Sequence, residues 1–218
     1  MVGVSGFTAG SVDFNEQMAS RIWYVFAFVF AMAFMLLLVT FRSIVIPIKA
    51  IILNLLSVGA AYGILTLVFQ DGHGEKLLGF ESVGGIAPWL PLFLFVILFG
   101  LSMDYHVFVL SRIREAVDRG MATDKAVAHG IKSTAGIITS AAAVMVITFA
   151  MFATGGDQAM KQLGVGLAAA ILIDATLVRA VLLPATMKLL GKRNWYLPKG
   201  LNWLPKFDHE PQVAPAGA

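Results

Sequence analysis

The sequence predicts an all-α membrane protein that crosses the bilayer five times. Two observations carry that reading. The 218 residues are 58% hydrophobic and 13% charged, with a mean hydropathy of +0.81, whereas soluble domains carry about 25% charged residues. The apolar residues also gather into five runs, Trp23–Phe41, Ile44–Phe69, Ala87–Leu110, Ile137–Ala153 and Leu163–Leu190. Each run reaches the ~17-residue minimum for crossing a hydrocarbon core of ~30 Å, with the fourth, Ile137–Ala153, close to that minimum. Cysteine is absent, so disulfides and thiolate metal sites are excluded. No cleavable signal peptide is expected, and the first run is read as directing insertion itself.

Taken in order, residues 1–20 read as the remnant of an extracytoplasmic domain, a strand or turn leading into a helix start. Asp13 is the expected N-cap, with Glu16 three residues later as a capping box requires. The Phe- and Met-rich first run is packing or lipid-facing material. In the second run Pro47 falls in the first turn, where its missing N–H costs little. The loop Gln70–Ile86 is glycine-rich. After the third run, the charged connector 111–134 carries two weak apolar stripes, which predict two short helices on the membrane face, broken at Gly120 and Gly130. The tail 193–218 holds four prolines and is expected to be disordered beyond Phe207.

Lys and Arg set the orientation. With the N-terminus outside, twelve of them fall on the inner side, and only Arg21, Lys76 and Lys161 on the outer; Arg179 lies within the last run. The positive-inside rule then predicts a multi-pass protein of the cell membrane with an extracytoplasmic N-terminus and a cytoplasmic C-terminus.

Few residues inside the runs can carry chemistry. Asp104 is the one charged side chain between Ala87 and Leu110, with Gly100 one turn before it and Tyr105 and His106 after it. A carboxylate at mid-helix costs roughly 2.5–3.5 kcal/mol on insertion scales, so such residues face a bundle interior or a water-filled path. A carboxyl withdrawn from water more readily stays neutral, the property a proton carrier needs. Its bland alternative is a hydrogen-bonded cross-link between helices. Asp174 and Arg179 share the last run; five residues apart, they stand roughly 140° around an α-helix and are poorly placed to pair. For Asp174 a structural bond and a transport role both stay open, while Arg179 reads as an anchor snorkelling to the inner face. Gly166, Ala170 and Asp174 line one face suited to close packing. His106 reads as a helix–helix contact, and His73, His129 and His209 share no metal-ligand spacing. The chain has no phosphate-binding glycine loop, no Ser-His-Asp arrangement and no basic nucleic-acid patch.

Several motifs together resemble one family. G-L-S-M-D-Y at 100–105 followed by L-S-R-I-R-E at 110–115 resembles the tenth-helix signature of the MMPL branch of RND transporters. The runs at 126–142 and 173–185 resemble its last two helices, F-R-S-I-V-I-P-I-K-A at 41–50 its connection between helices eight and nine, and G-F-T-A-G-S-V-D-F at 6–14 the end of its second outer domain, with Ser5 where a second glycine is common. The resemblance runs from residue 3 to about 192. It implies a C-terminal half-bundle, helices eight to twelve, of a transporter that uses the proton gradient, with no other cofactor, to move lipids or other hydrophobic cargo. In that family an Asp-Tyr pair on helix ten faces an equivalent pair on helix four. Asp104 would then take and release the proton and Tyr105 would hydrogen-bond the opposing aspartate. Asp174 and Arg179 match recurrent positions of the family with no role carried over, and with Ser102 they are candidate supporting polar residues.

The family has twelve membrane helices and two outer domains. Five spans therefore imply a C-terminal portion, arising by truncation, a split gene or a misplaced start, whose expected partners are the bilayer, a hydrophobic cargo and an N-terminal half with its own Asp-Tyr pair. Alone, such a chain is expected not to transport. Two other classes compete. A membrane scaffold or truncated remnant would need no relay. An intramembrane aspartyl protease would use Asp104 and Asp174 as its pair, but here the order is Asp-Tyr and Ile171-Leu172-Ile173 precedes Asp174.

Overall fold

The structure, a computed structural model, describes residues 7–82, 84–201 and 203–204, with only the backbone described for 7–9, 11, 12, 77 and 199. Among these residues all regular structure is helical, and five helical stretches are long and apolar enough to cross a membrane: Asp13–Phe41, Val45–Gln70, Leu90–Asp118, Thr123–Phe152 and Gln158–Trp195. The five expected spans are all present. Their ends differ from the expectation, and each difference has a local cause.

Helix α1 (Phe7–Phe41) already begins six residues before Asp13, so Asp13 lies inside the helix instead of capping it. The remnant strand or turn expected of the first residues lies, for 1–6, outside the described residues. Helix α2 (Val45–Leu65) follows a tight turn at Arg42, which adopts φ +49. Ser43 Oγ accepts from the N–H groups of Val45 at 3.1 Å and Ile46 at 3.4 Å, which satisfies two donors of the first turn. Beyond α2 the chain widens into a π-helical turn, Thr66–Gln70, and a short α3 (Glu75–Leu78). The loop behind it is held down by the last span: Lys161 Nζ donates to the carbonyls of Leu78 and Gly79, at 2.7 and 2.8 Å, and Gln162 Oε1 accepts from Ala87 N at 2.9 Å.

The connector departs most from its sequence reading. Helix α4 (Leu90–Asp118) carries its span straight through residues 111–118, and α5 (Thr123–Phe152) starts fourteen residues ahead of its apolar run. The two short surface helices are thus the ends of the long ones. Gly120 reverses the chain at φ +87, a conformation that favours glycine. Gly130 breaks nothing. It lies inside α5 where a Cβ would stand 2.5 Å from Ile113 Cγ1 and 3.0 Å from Ile113 N, so its missing side chain lets α5 lie against α4. The charges of the connector pair with one another, Arg112 and Arg119 with Glu115 and Arg114 with Asp118.

The last span is composite. Helix α6 (Gln158–Ile173) opens on Asp157, whose carboxylate accepts from Met160 N at 2.9 Å. It passes into a nine-residue π-helical stretch, Asp174–Leu182, then α7 (Leu183–Leu190) and a 3₁₀ turn, Gly191–Trp195. Helix α4 is the centre of the bundle, packed against α1, α2, α5 and α6. On one side Phe26 and Phe30 of α1 meet Phe95 and Phe99 edge to face, with Phe26–Phe95 centroids 4.4 Å apart. On the other, Gly166 admits Leu94 of α4 and Leu65 of α2 into space that a Cβ would fill, as the small-residue face predicted. At the far end Ser43 Oγ donates to Asn194 O at 2.6 Å and Ile44 N to Tyr196 O at 3.2 Å, so the close of the last span is tied to the start of the second. The tail beyond Phe207 lies outside the described residues.

Candidate functional site

Helix α4 turns two opposite faces to its surroundings. Residues two apart on an α-helix stand roughly 200° around its axis. Ser102 and His106 are buried, 5% and 1% exposed, and face the last span, whereas Asp104 between them is exposed on the surface of the bundle. Gly100, on the same side as Asp104, is also exposed and has nothing near the place of a Cβ. Among the described residues Asp104 makes no hydrogen bond or ion pair. Its carboxylate therefore faces out of this five-helix unit, across an uncovered strip of α4, and does not point into the unit's own interior as a lone bundle would require.

Behind α4 the chain assembles a polar cluster. Asp174 is buried at the head of the π-helical stretch. Its Oδ1 accepts from Ser102 Oγ of α4 at 3.0 Å and from Ser57 Oγ of α2 at 3.3 Å, and its Oδ2 accepts from Arg179 Nη2. The ion pair between Asp174 and Arg179 corrects the helical-wheel expectation. Between them the backbone is π-helical, and i→i+5 bonding sets residues five apart above one another. Arg179 is accordingly no snorkelling anchor. It is 5% exposed, and its guanidinium carbon lies 4.9 Å from the centroid of the Tyr105 ring, a cation–π placement. Tyr105, the residue after Asp104, thus joins the outer face of α4 to the cluster behind it.

Of the predicted residues, the structure brings together Ser102, Tyr105, Asp174 and Arg179 and leaves Asp104 on the other face. The sequence reading missed Ser57 and Asn54, although Asn54, Ser57, Ala61 and Leu65 form one buried stripe of α2 at the i, i+3, i+4 spacing of a helix face. His106 donates from Nδ1 to Ser102 O at 3.1 Å, while its Nε2 has no partner; a carbonyl only accepts, so the proton is assigned to Nδ1. Lys49 is buried and donates to Asn194 Oδ1 at 3.2 Å. A cavity among Asn54, Ser57, Ser102, Tyr105, Asp174 and Arg179 holds about 20 Å³ of free space. One water needs about 10–15 Å³, and the unpartnered Asn54 Oδ1 and Arg179 Nε belong to residues lining it. No group of three or more His, Asp or Glu suited to a metal ion occurs among the described residues.

These features occur in a recognisable lineage. The profile of the MMPL family matches residues 1–206. The chain is 43% identical over 210 residues to a protein of Mycolicibacterium smegmatis named mycolic acid-containing lipids exporter MmpL11, matching 96% of this chain and 22% of that protein. It is 41% identical over 210 residues to a Mycobacterium tuberculosis protein named heme uptake protein MmpL11, with the same two shares. Trehalose monomycolate exporter MmpL3 of Mycobacterium tuberculosis is 38% identical over 196 residues, 90% of this chain and 21% of that protein. The chain thus spans about a fifth of the length of these relatives. With a match along nearly its whole length and five membrane-spanning helices, the chain belongs to the MMPL family, a branch of the RND transporters.

Proposed function

We propose that this chain acts as the C-terminal part of a transporter that uses the proton-motive force to export lipids or other hydrophobic molecules across the cell membrane. The observation that carries the reading is the position of Asp104, a carboxylate at mid-span on an uncovered strip of α4 beside Gly100. A charge there calls for cover by another polar surface within the membrane, and the glycine allows a second helix to come close. An N-terminal half bearing its own Asp-Tyr pair supplies such a surface. The names of the relatives point to hydrophobic cargo, two to lipid export and one to heme uptake.

In this reading Asp104 takes a proton from the outer side, which removes a charge from the contact between the halves and lets α4 shift against its partner. Release inward resets it. Each proton contributes about 2.3 kcal/mol per 100 mV of membrane potential. Tyr105 couples the step to the last span, because its ring lies under the Arg179 guanidinium. The excess of Lys and Arg on one side supports a cytoplasmic C-terminus. The protease alternative loses support, because Asp104 and Asp174 lie on opposite sides of α4 and Asp174 is held by Arg179, whereas a catalytic dyad shares one proton between two carboxylates. The test is export of a labelled lipid by the complete transporter in cells. Asp104→Asn is expected to abolish gradient-dependent export at normal expression, and Tyr105→Phe, which keeps the ring but removes the hydroxyl that would bond the opposing aspartate, to reduce it more mildly; undiminished export in Asp104→Asn contradicts the reading.

A further inference from the structure

Two polar atoms on neighbouring spans stay unspent beside the Asp174–Arg179 pair. Asn54 of α2 and Arg179 of the last span are 1% and 5% exposed, and neither Asn54 Oδ1 nor Arg179 Nε has a hydrogen-bond partner among the described residues. Their chemistry is complementary. Asn54 Nδ2 donates to Phe99 O at 3.4 Å; a carbonyl only accepts, so the amide oxygen is the atom left over. Arg179 spends Nη2 on Asp174 and sets its guanidinium against the Tyr105 ring. Its Nε–H remains, a donor of a group that keeps its charge. Leaving either atom unpaired in the interior costs the full desolvation of that group. The fold also puts the two at one level. The bond from Ile44 N to Tyr196 O joins the start of α2 to the close of the last span, so the two run antiparallel. Between them Ser57 Oγ donates to Asp174 Oδ1. Asn54 stands about one α-turn before Ser57, and Arg179 one π-turn after Asp174, so both lie on the same side of that bond.

Both residues line the cavity of about 20 Å³, which has room for one water and for no larger group. Its charges select the ligand as well. A cation there meets Arg179 and an anion meets Asp174, which line the same cavity, whereas a water donates and accepts without net charge. We propose that the cavity binds a single structural water that accepts from Arg179 Nε–H and donates to Asn54 Oδ1, bridging α2 and the last span. Its second proton has acceptors in Ser57 Oγ and Ser102 Oγ, whose own protons go to Asp174. The water then has the three partners usual for a buried one. The site rests on the geometry of the cluster and not on transport.

The test is water-selective NMR of the isotope-labelled full chain in lipid nanodiscs. The unmodified chain is expected to show a cross-peak from water to Arg179 Nε–H whose sign in the rotating frame is that of a through-space contact. Its absence, or a cross-peak with the sign of chemical exchange alone, overturns the site. Asn54→Leu, similar in size but without the acceptor, is expected to lose the cross-peak; persistence in this variant overturns the bridge. Ser57→Ala and Ser102→Ala, taken singly, are expected to keep it. Loss in either one means that a hydroxyl relayed the signal, and overturns the water as its source.

Discussion

Asp174 and Arg179 form a buried ion pair that also holds Ser57, Ser102 and Tyr105 in place. Removing one partner of a buried pair leaves an uncompensated charge and costs about 3–5 kcal/mol, whereas replacing both by groups of similar size is often nearly neutral. Arg179→Met is therefore expected to lower the thermal stability of the purified chain strongly, and Asp174→Asn in the same protein to restore most of it. If the double variant is as unstable as the single one, the cluster is held by something other than this pair. Little of this was legible beforehand. Both residues stood out in the last run because charge is rare there, but the α-helical wheel set them apart, and no feature of D-A-T-L-V-R-A-V-L announces a π-helical turn. Asp104 was more legible. Its shared side with Gly100 follows from the four-residue spacing, and the structure keeps them together on the exposed face.

At the level of elements, close approach is set by a few glycines that hydropathy alone does not distinguish. Gly130→Ala is expected to destabilise the chain by about 1–3 kcal/mol, because its Cβ would meet the Ile113 backbone and overpack the α4–α5 contact. Gly136→Ala, also in α5 but with open space around it, is expected to stabilise it by up to about 1 kcal/mol through helix propensity. Thermal unfolding in detergent compares the two directly; equal effects would mean that α5 does not lie against α4 through Gly130. The apolar runs located the spans well, since burial in lipid demands unbroken apolar length. They could not locate helix ends, because α4 and α5 extend past the hydrocarbon on charged residues stabilised by pairs such as Arg114–Asp118. Gly120 and Gly130 look alike in sequence, and only the packing partner Ile113 tells a turn from a contact.

For the whole molecule, the bundle keeps the Asp174–Arg179 network inside and leaves the mid-span carboxylate of Asp104 outside. That division makes Asp104 separable from folding. Asp104→Asn is expected not to lower the stability of the chain, because it removes no hydrogen bond or ion pair among the described residues and takes a charge off an uncovered strip at mid-span. The most direct measurement is proton flux through the complete transporter in proteoliposomes, driven by a pH gradient and followed with an internal pH-sensitive dye. The account predicts cargo-dependent flux in the unmodified protein and loss of that flux with Asp104→Asn, while the unfolding temperature of the chain does not fall. Flux that survives the substitution would contradict the assignment of Asp104 as the proton carrier.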